Sequence, residues 1–136
     1  MKKVLLIFLG IFVITFSAYF VKAESTKMGN GSFQSYEQLL LQNSPGVLYL
    51  YTNDCKYCVK FAPIFNKLSK EFAGKYLFVK IDAYNPKYSQ LCKTLGLRTV
   101  PSIYIYEPKT KMMQPVHPYY YQEEAMRQVL NEYLLR

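Results

Sequence analysis

Two cysteines stand three positions apart in the stretch YTNDCKYCVKFAP, Tyr51 to Pro63, directly after an apolar run. Thiols at that spacing have three chemistries open to them: a redox centre that cycles between dithiol and disulfide, half of a tetrahedral metal site, or a permanent structural staple. A third cysteine, Cys92, lies beside Leu91 and Leu95 in SQLCKTLG and reads as a buried free thiol on a helix, not as a third reactive group. His117 is the sole histidine and precedes Pro118 in a loop, so a Cys/His metal set has no second histidine and no metal is expected. The aromatic stretch PYYY, Pro118 to Tyr121, is expected to pack the start of the last helix, a substrate-contacting patch being the alternative.

The meaning of a cysteine pair depends on its compartment. Lys2 and Lys3 precede an uncharged, mostly apolar run from Val4 to Val21, and Val21 and Ala23 of VKAES occupy the small-residue positions of a signal-peptidase site. Residues 1–23 therefore read as an export signal cleaved after Ala23 or, given the length of the run, as a retained membrane anchor. In both cases the lysines stay cytoplasmic and the remainder faces outward, in the periplasm or on the outer face of the cytoplasmic membrane. Without Lys2, Lys3 and Lys22 the formal net charge falls from +8 to +5. The remaining basic residues are scattered, as in NKLSKEFAGK, which makes a solvated face; nucleic acid is not an expected partner.

The elements that must position the cysteines follow from periodicity. Residues 24–34 are polar and glycine-bearing, a linker, and residues 35–136 form the domain. Ser35 with Gln38 three positions on forms a capping box, predicting a short helix through SYEQLLLQ. VLYLYT (Val47 to Thr52) is a buried-type strand. From Cys55 onward Val59, Ala62, Phe65, Leu68, Ser69 and Phe72 recur at helical spacing up to Gly74. YLFVKID is a second strand, and NPKYSQLCKTLG a helix with Pro86 in its first turn and Gly96 as its stop. SIYIYE and MMQPV are strands joined by PKTK, the second confined to a sheet edge by Pro115. The last fifteen residues form an amphipathic helix with Ala125, Val129 and Tyr133 at four-residue steps. A βαβ unit followed by a hairpin and a helix makes an α/β fold, a mixed four-stranded sheet with helices on both faces.

This order, with Cys55-Lys56-Tyr57-Cys58 between the first strand of the βαβ unit and its helix, resembles the thioredoxin family. Pro63, five residues after Cys58, matches the family's helix-kinking proline; KIDAYNP resembles its strand-end Asp followed by Asn-Pro; LGLRTVPSIYIY resembles its cis-proline segment, the proline being Pro101. The resemblance implies a thioredoxin-like fold and a thiol-disulfide oxidoreductase whose redox disulfide is Cys55–Cys58. Cys55 is then the nucleophile, its thiolate stabilised at a helix N-terminus, and Cys58 the resolving thiol. Val100 and Pro101 form the substrate platform, with Lys56 and Tyr57 beside it. The resemblance implies no cofactor. Expected partners are protein substrates bearing thiols or disulfides and a membrane redox partner, and a monomer is expected.

The departures from the family are specific. Tyr49 stands where thioredoxin has a buried carboxylate, Tyr51 and Asp54 replace two tryptophans, Lys56-Tyr57 replaces Gly-Pro, and VHPYYY replaces a glycine after the edge strand. With a helix N-terminus and Lys56 favouring the thiolate, the reduction potential is expected to be less negative than thioredoxin's roughly −270 mV and short of about −120 mV. A non-catalytic binding module and a metal-handling domain remain the alternatives.

Overall fold

The computed structural model describes residues 33–136, so the export signal or anchor and most of the linker lie outside the described residues. Ser35 caps helix α1 (Tyr36–Leu41): its Oγ accepts the Gln38 N–H at 3.1 Å, and Gln38 Oε1 accepts the Ser35 N–H at 2.9 Å. This is the predicted capping box. Strand β1 (Gly46–Tyr51) follows, then α2 (Lys56–Glu71) and β2 (Leu77–Asp82). A 3₁₀ turn (Pro86–Tyr88) leads into α3 (Ser89–Thr94). The hairpin strands are β3 (Ser102–Glu107) and β4 (Met112–Val116), and a second 3₁₀ turn (Pro118–Tyr120) precedes α4 (Glu123–Leu134). The sheet order is β2-β1-β3-β4, with β1 parallel to β2 and antiparallel to β3, and β4 antiparallel to β3. Pro115 sits on the edge strand opposite Tyr104, where its missing N–H costs the ladder least.

Alternation along the strands separates two cores. Val47, Tyr49, Phe78, Ile103 and Ile105 face α2 and α4; Leu48, Leu50, Val79, Tyr104 and Tyr106 face α1 and α3. Phe65 of α2 is fully buried among Phe33, Tyr49, Phe61 and Phe78, with ring centroids 5.0–6.3 Å away. Truncating it to Ala would cost about 3–5 kcal/mol. On the other face the helix approaches closely: a Cβ at Gly46 would collide with the buried Leu39.

Four sequence expectations shift in the structure. The helix predicted over NPKYSQLCKTLG divides in two, because Asn85 Oδ1 accepts the Lys87 N–H at 3.0 Å and tightens the first turn to 3₁₀. In α2, Val59 is 65 % exposed while Phe61, absent from the predicted stripe, is buried. In α4 the centre of the buried face is Met126 and Leu130, with Ala125, Val129 and Tyr133 half-buried along its margin. Phe33 and Gln34 belong with the domain: the Phe33 ring stacks on Phe65 at 5.5 Å, and the Gln34 N–H donates to Phe78 O at 2.8 Å. Among the described residues no helix is long and apolar enough to cross a membrane.

Candidate active site

The apolar strand β1 delivers the chain to a tight turn at Asn53-Asp54, after which Cys55 becomes the N-cap of the 16-residue helix α2. At an N-cap the first backbone N–H groups lack intrahelical acceptors, and here one of them finds sulfur: the Cys58 N–H donates to Cys55 Sγ at 3.1 Å. Cys55 and Cys58 form a disulfide, with Cα atoms 5.2 Å apart. The two sulfurs differ in access. Cys55 is half-buried, whereas Cys58 is only 2 % exposed and faces the core.

The segment before β3 closes on the pair from the opposite side. The Val100–Pro101 peptide is cis, and Val100 O lies 3.6 Å from Cys55 Sγ. Val100 and Pro101 are both half-buried, and Lys56 and Tyr57 project into solvent from the first turn of α2, Tyr57 at 72 % exposure. The structure thus brings Cys55, Cys58, Val100 and Pro101 together, with Lys56 and Tyr57 on the rim.

Beneath the pair lies Tyr49, at the position where the family pattern has a carboxylate. Its hydroxyl donates to Cys58 O at 2.8 Å, and its ring packs against Tyr51 and Phe61 at 5.4 and 5.3 Å. Burial pushes the phenol up to about 12, so it stays neutral and donates a hydrogen bond at physiological pH. The ammonium of Lys80, on the neighbouring strand, sits 5.1 Å from the Tyr51 ring and 5.9 Å from that of Tyr49, within cation–π reach of both.

Next to Pro101 a cleft of about 450 Å³ opens between α2 and the segment after β4. Of its walls, sequence reasoning missed Phe61 and Ile64, one turn and two turns beyond Cys58, which could have been found by stepping three residues along the helix; Pro118 and Tyr121 belong to the PYYY stretch, for which a substrate-contacting patch was the alternative reading. Tyr121 packs on the first core, which includes Met126 of α4, and is also tied to the sheet. Its hydroxyl accepts the Ile103 N–H at 2.9 Å and donates to Val116 O at 3.2 Å, locking onto the terminal rung of the β3–β4 ladder, while its ring lies 5.3 Å from Phe61. Tyr119 and Tyr120 are exposed. Cys92 is a free thiol on the other face of the sheet, half-buried where full burial was expected. His117 uses Nδ1 to accept the Tyr119 N–H at 3.2 Å, and among the described residues no three His, Cys, Asp or Glu side chains gather as metal ligands.

The family profile described as TraF: F plasmid transfer operon protein matches residues 34–118. The thioredoxin of Borreliella burgdorferi is 27 % identical over 89 residues, 65 % of this chain and 73 % of that protein. DnaJ homolog subfamily C member 10 of Pongo abelii is 29 % identical over 104 residues, 74 % of this chain but 13 % of that protein. Among solved structures, the thioredoxin of Malassezia sympodialis matches with a TM-score of 0.64 at 20 % identity, over 76 % of this chain and 92 % of the other, a likeness of fold.

Proposed function

We propose, from the premise that the chain belongs to the TraF family (F plasmid transfer operon protein) and has a thioredoxin-like fold, that it is a thiol-disulfide oxidoreductase acting on protein substrates in the cell envelope. The observation that carries this reading is the unequal pair: an accessible sulfur at a helix N-terminus, accepting an N–H at 3.1 Å, linked to a buried sulfur one turn along. Backbone N–H groups and the helix dipole favour the Cys55 thiolate, which makes it the attacking group.

In the reducing direction the Cys55 thiolate attacks a substrate disulfide. A Cys55–substrate S–S bond forms, the substrate's own S–S bond breaks, and one substrate thiolate leaves. Cys58, losing its proton to solvent, then attacks Cys55 Sγ. The Cys55–Cys58 bond forms, the mixed disulfide breaks, and the second substrate thiolate departs; two electrons have passed to the substrate. Run backwards, the same steps oxidise a dithiol. Val100, with its carbonyl 3.6 Å from the reacting sulfur, is the edge along which an extended substrate strand pairs, with Pro101, Lys56 and Tyr57 around it. The export reading of residues 1–23 and the family match support the envelope location, and a membrane redox partner would regenerate the pair.

Cys58→Ser removes the resolving attack and leaves the nucleophile, so the variant is expected to accumulate reducible mixed disulfides through Cys55 on non-reducing gels of native envelope. Absence of such adducts, together with no insulin reduction or dithiol oxidation by the wild-type protein, would sink the reading.

A further inference from the structure

Val100 is flanked by two clefts. The larger, about 450 Å³, has an apolar floor of Phe61 and Ile64, a far wall of Pro118 and Tyr121, and Lys60 at its mouth. The smaller, about 250 Å³, lies on the other side and is bordered by Tyr84, Leu97 and Arg98. Each cleft is lined by one cation and by no acidic residue. The far wall of the larger cleft exists because this chain has a 3₁₀ turn and Tyr121 after β4, where the resemblance leads one to expect a glycine. That wall is fixed in advance: the Tyr121 hydroxyl holds both Ile103 and Val116, and the ring rests on Phe61. A prebuilt wall of this kind discriminates among side chains without a cost of ordering on binding.

We propose that these clefts select the substrate: the larger takes an aromatic side chain adjacent to the substrate's reacting cysteine, and Lys60 and Arg98 pair with acidic residues flanking it. The substrate class is an extended, acidic polypeptide segment with an aromatic residue beside cysteine. An aromatic ring matches a cleft whose walls are themselves rings, Phe61 and Tyr121, with Tyr57 at the rim. Both clefts border Val100, one on each side, so a segment that crosses Val100 with its cysteine at Cys55 carries the residues before and after that cysteine past one cleft each. The sign of the flanking charge follows from the lining, since a basic segment would meet a like charge on both sides.

The inference rests on the oxidoreductase reading, and the test separates the two. Short peptides in which cysteine is flanked by Phe and Glu in either order, by Phe and Lys, or by two Ala are prepared as mixed disulfides with thionitrobenzoate, alongside the same derivative of cysteamine. Attack by reduced wild-type protein at the peptide sulfur releases the coloured thionitrobenzoate. The readout is the ratio of rates between peptides in one protein, so a general change in thiol reactivity cancels. A Phe/Glu peptide is expected to react about tenfold faster than the Ala peptide. Lys60→Glu is expected to lower the Phe/Glu to Phe/Lys ratio about threefold. Thr99→Trp, an exposed position bordering both clefts, is expected to bring the Phe/Glu to Ala ratio to within about twofold of one. A wild-type ratio already within about twofold of one, or a ratio that survives either substitution, overturns the inference. No release even from the cysteamine derivative means that the oxidoreductase reading itself has failed, and the inference with it.

Discussion

Cys55 and Cys92 pack against opposite faces of the same sheet, both half-buried, and what separates them is what the backbone offers each sulfur. Cys55 caps a helix of 16 residues, its Sγ accepting the Cys58 N–H. Cys92 lies within the six-residue α3, packed with Leu91 and Leu95 against the second core, and burial pushes its thiol above the ordinary range. One environment supplies dipoles that stabilise an anion; the other removes water, and the backbone hydrogen bond it offers in return is the lesser influence. On the proposed reading, similar exposure therefore accompanies opposite reactivity, and position relative to a helix N-terminus decides it.

The sharpest way to break the comparison is to remove each sulfur in turn. Cys55→Ser should abolish disulfide exchange, whereas Cys92→Ser should keep the wild-type rate within about twofold, measured by insulin reduction. A folded Cys92→Ser protein without activity would show that the second face takes part in the chemistry.

A smaller effect reads the two thiols in one molecule. In reduced protein at pH 7, iodoacetamide is expected to label Cys55 at least about tenfold faster than Cys92, followed by peptide mass spectrometry. Raising the pH should narrow the gap, because Cys92, held protonated by burial, gains its thiolate only above the ordinary thiol range. Two labelling rates that rise in parallel would contradict the assignment.

The smallest effect lies beneath the site. Tyr49→Phe deletes the hydroxyl that donates to Cys58 O and should lower stability by about 0.5–1.5 kcal/mol in urea unfolding near neutral pH. The folded phenol is raised to about 12, above its unfolded value near 10. Its contribution is therefore complete below pH 10 and is lost as the pH climbs toward 12. The gap between wild type and variant should close over that window; one that widened instead would mean the phenolate is favoured in the fold.

Much of this could be read from local sequence. Apolar runs marked β1 and β2 and alternation marked β3, Ser35 and Gln38 marked the first helix start, and Pro115 marked the edge of the sheet. The CxxC spacing ahead of a helical period placed Cys55 at a helix N-terminus; Val100-Pro101 was pointed to by the family resemblance. These features depend on residues a few positions apart, whose geometry the backbone settles by itself. What lay beyond reach joins distant positions: Tyr121 to Ile103 across 18 residues and Phe33 to Phe65 through the first core, whereas the approach of Val100 to Cys55 across 45 residues was implied by the family resemblance. The exposure of Val59 and burial of Phe61 belong here too, since periodicity gives the width of an apolar stripe but not the angle at which the helix lies on the sheet. Tyr49 could be recognised as a replaced carboxylate; only the packed structure showed that its hydroxyl reaches the carbonyl of Cys58. Alternation tells a side chain which face it is on, and the packing of helices on that face decides what it meets.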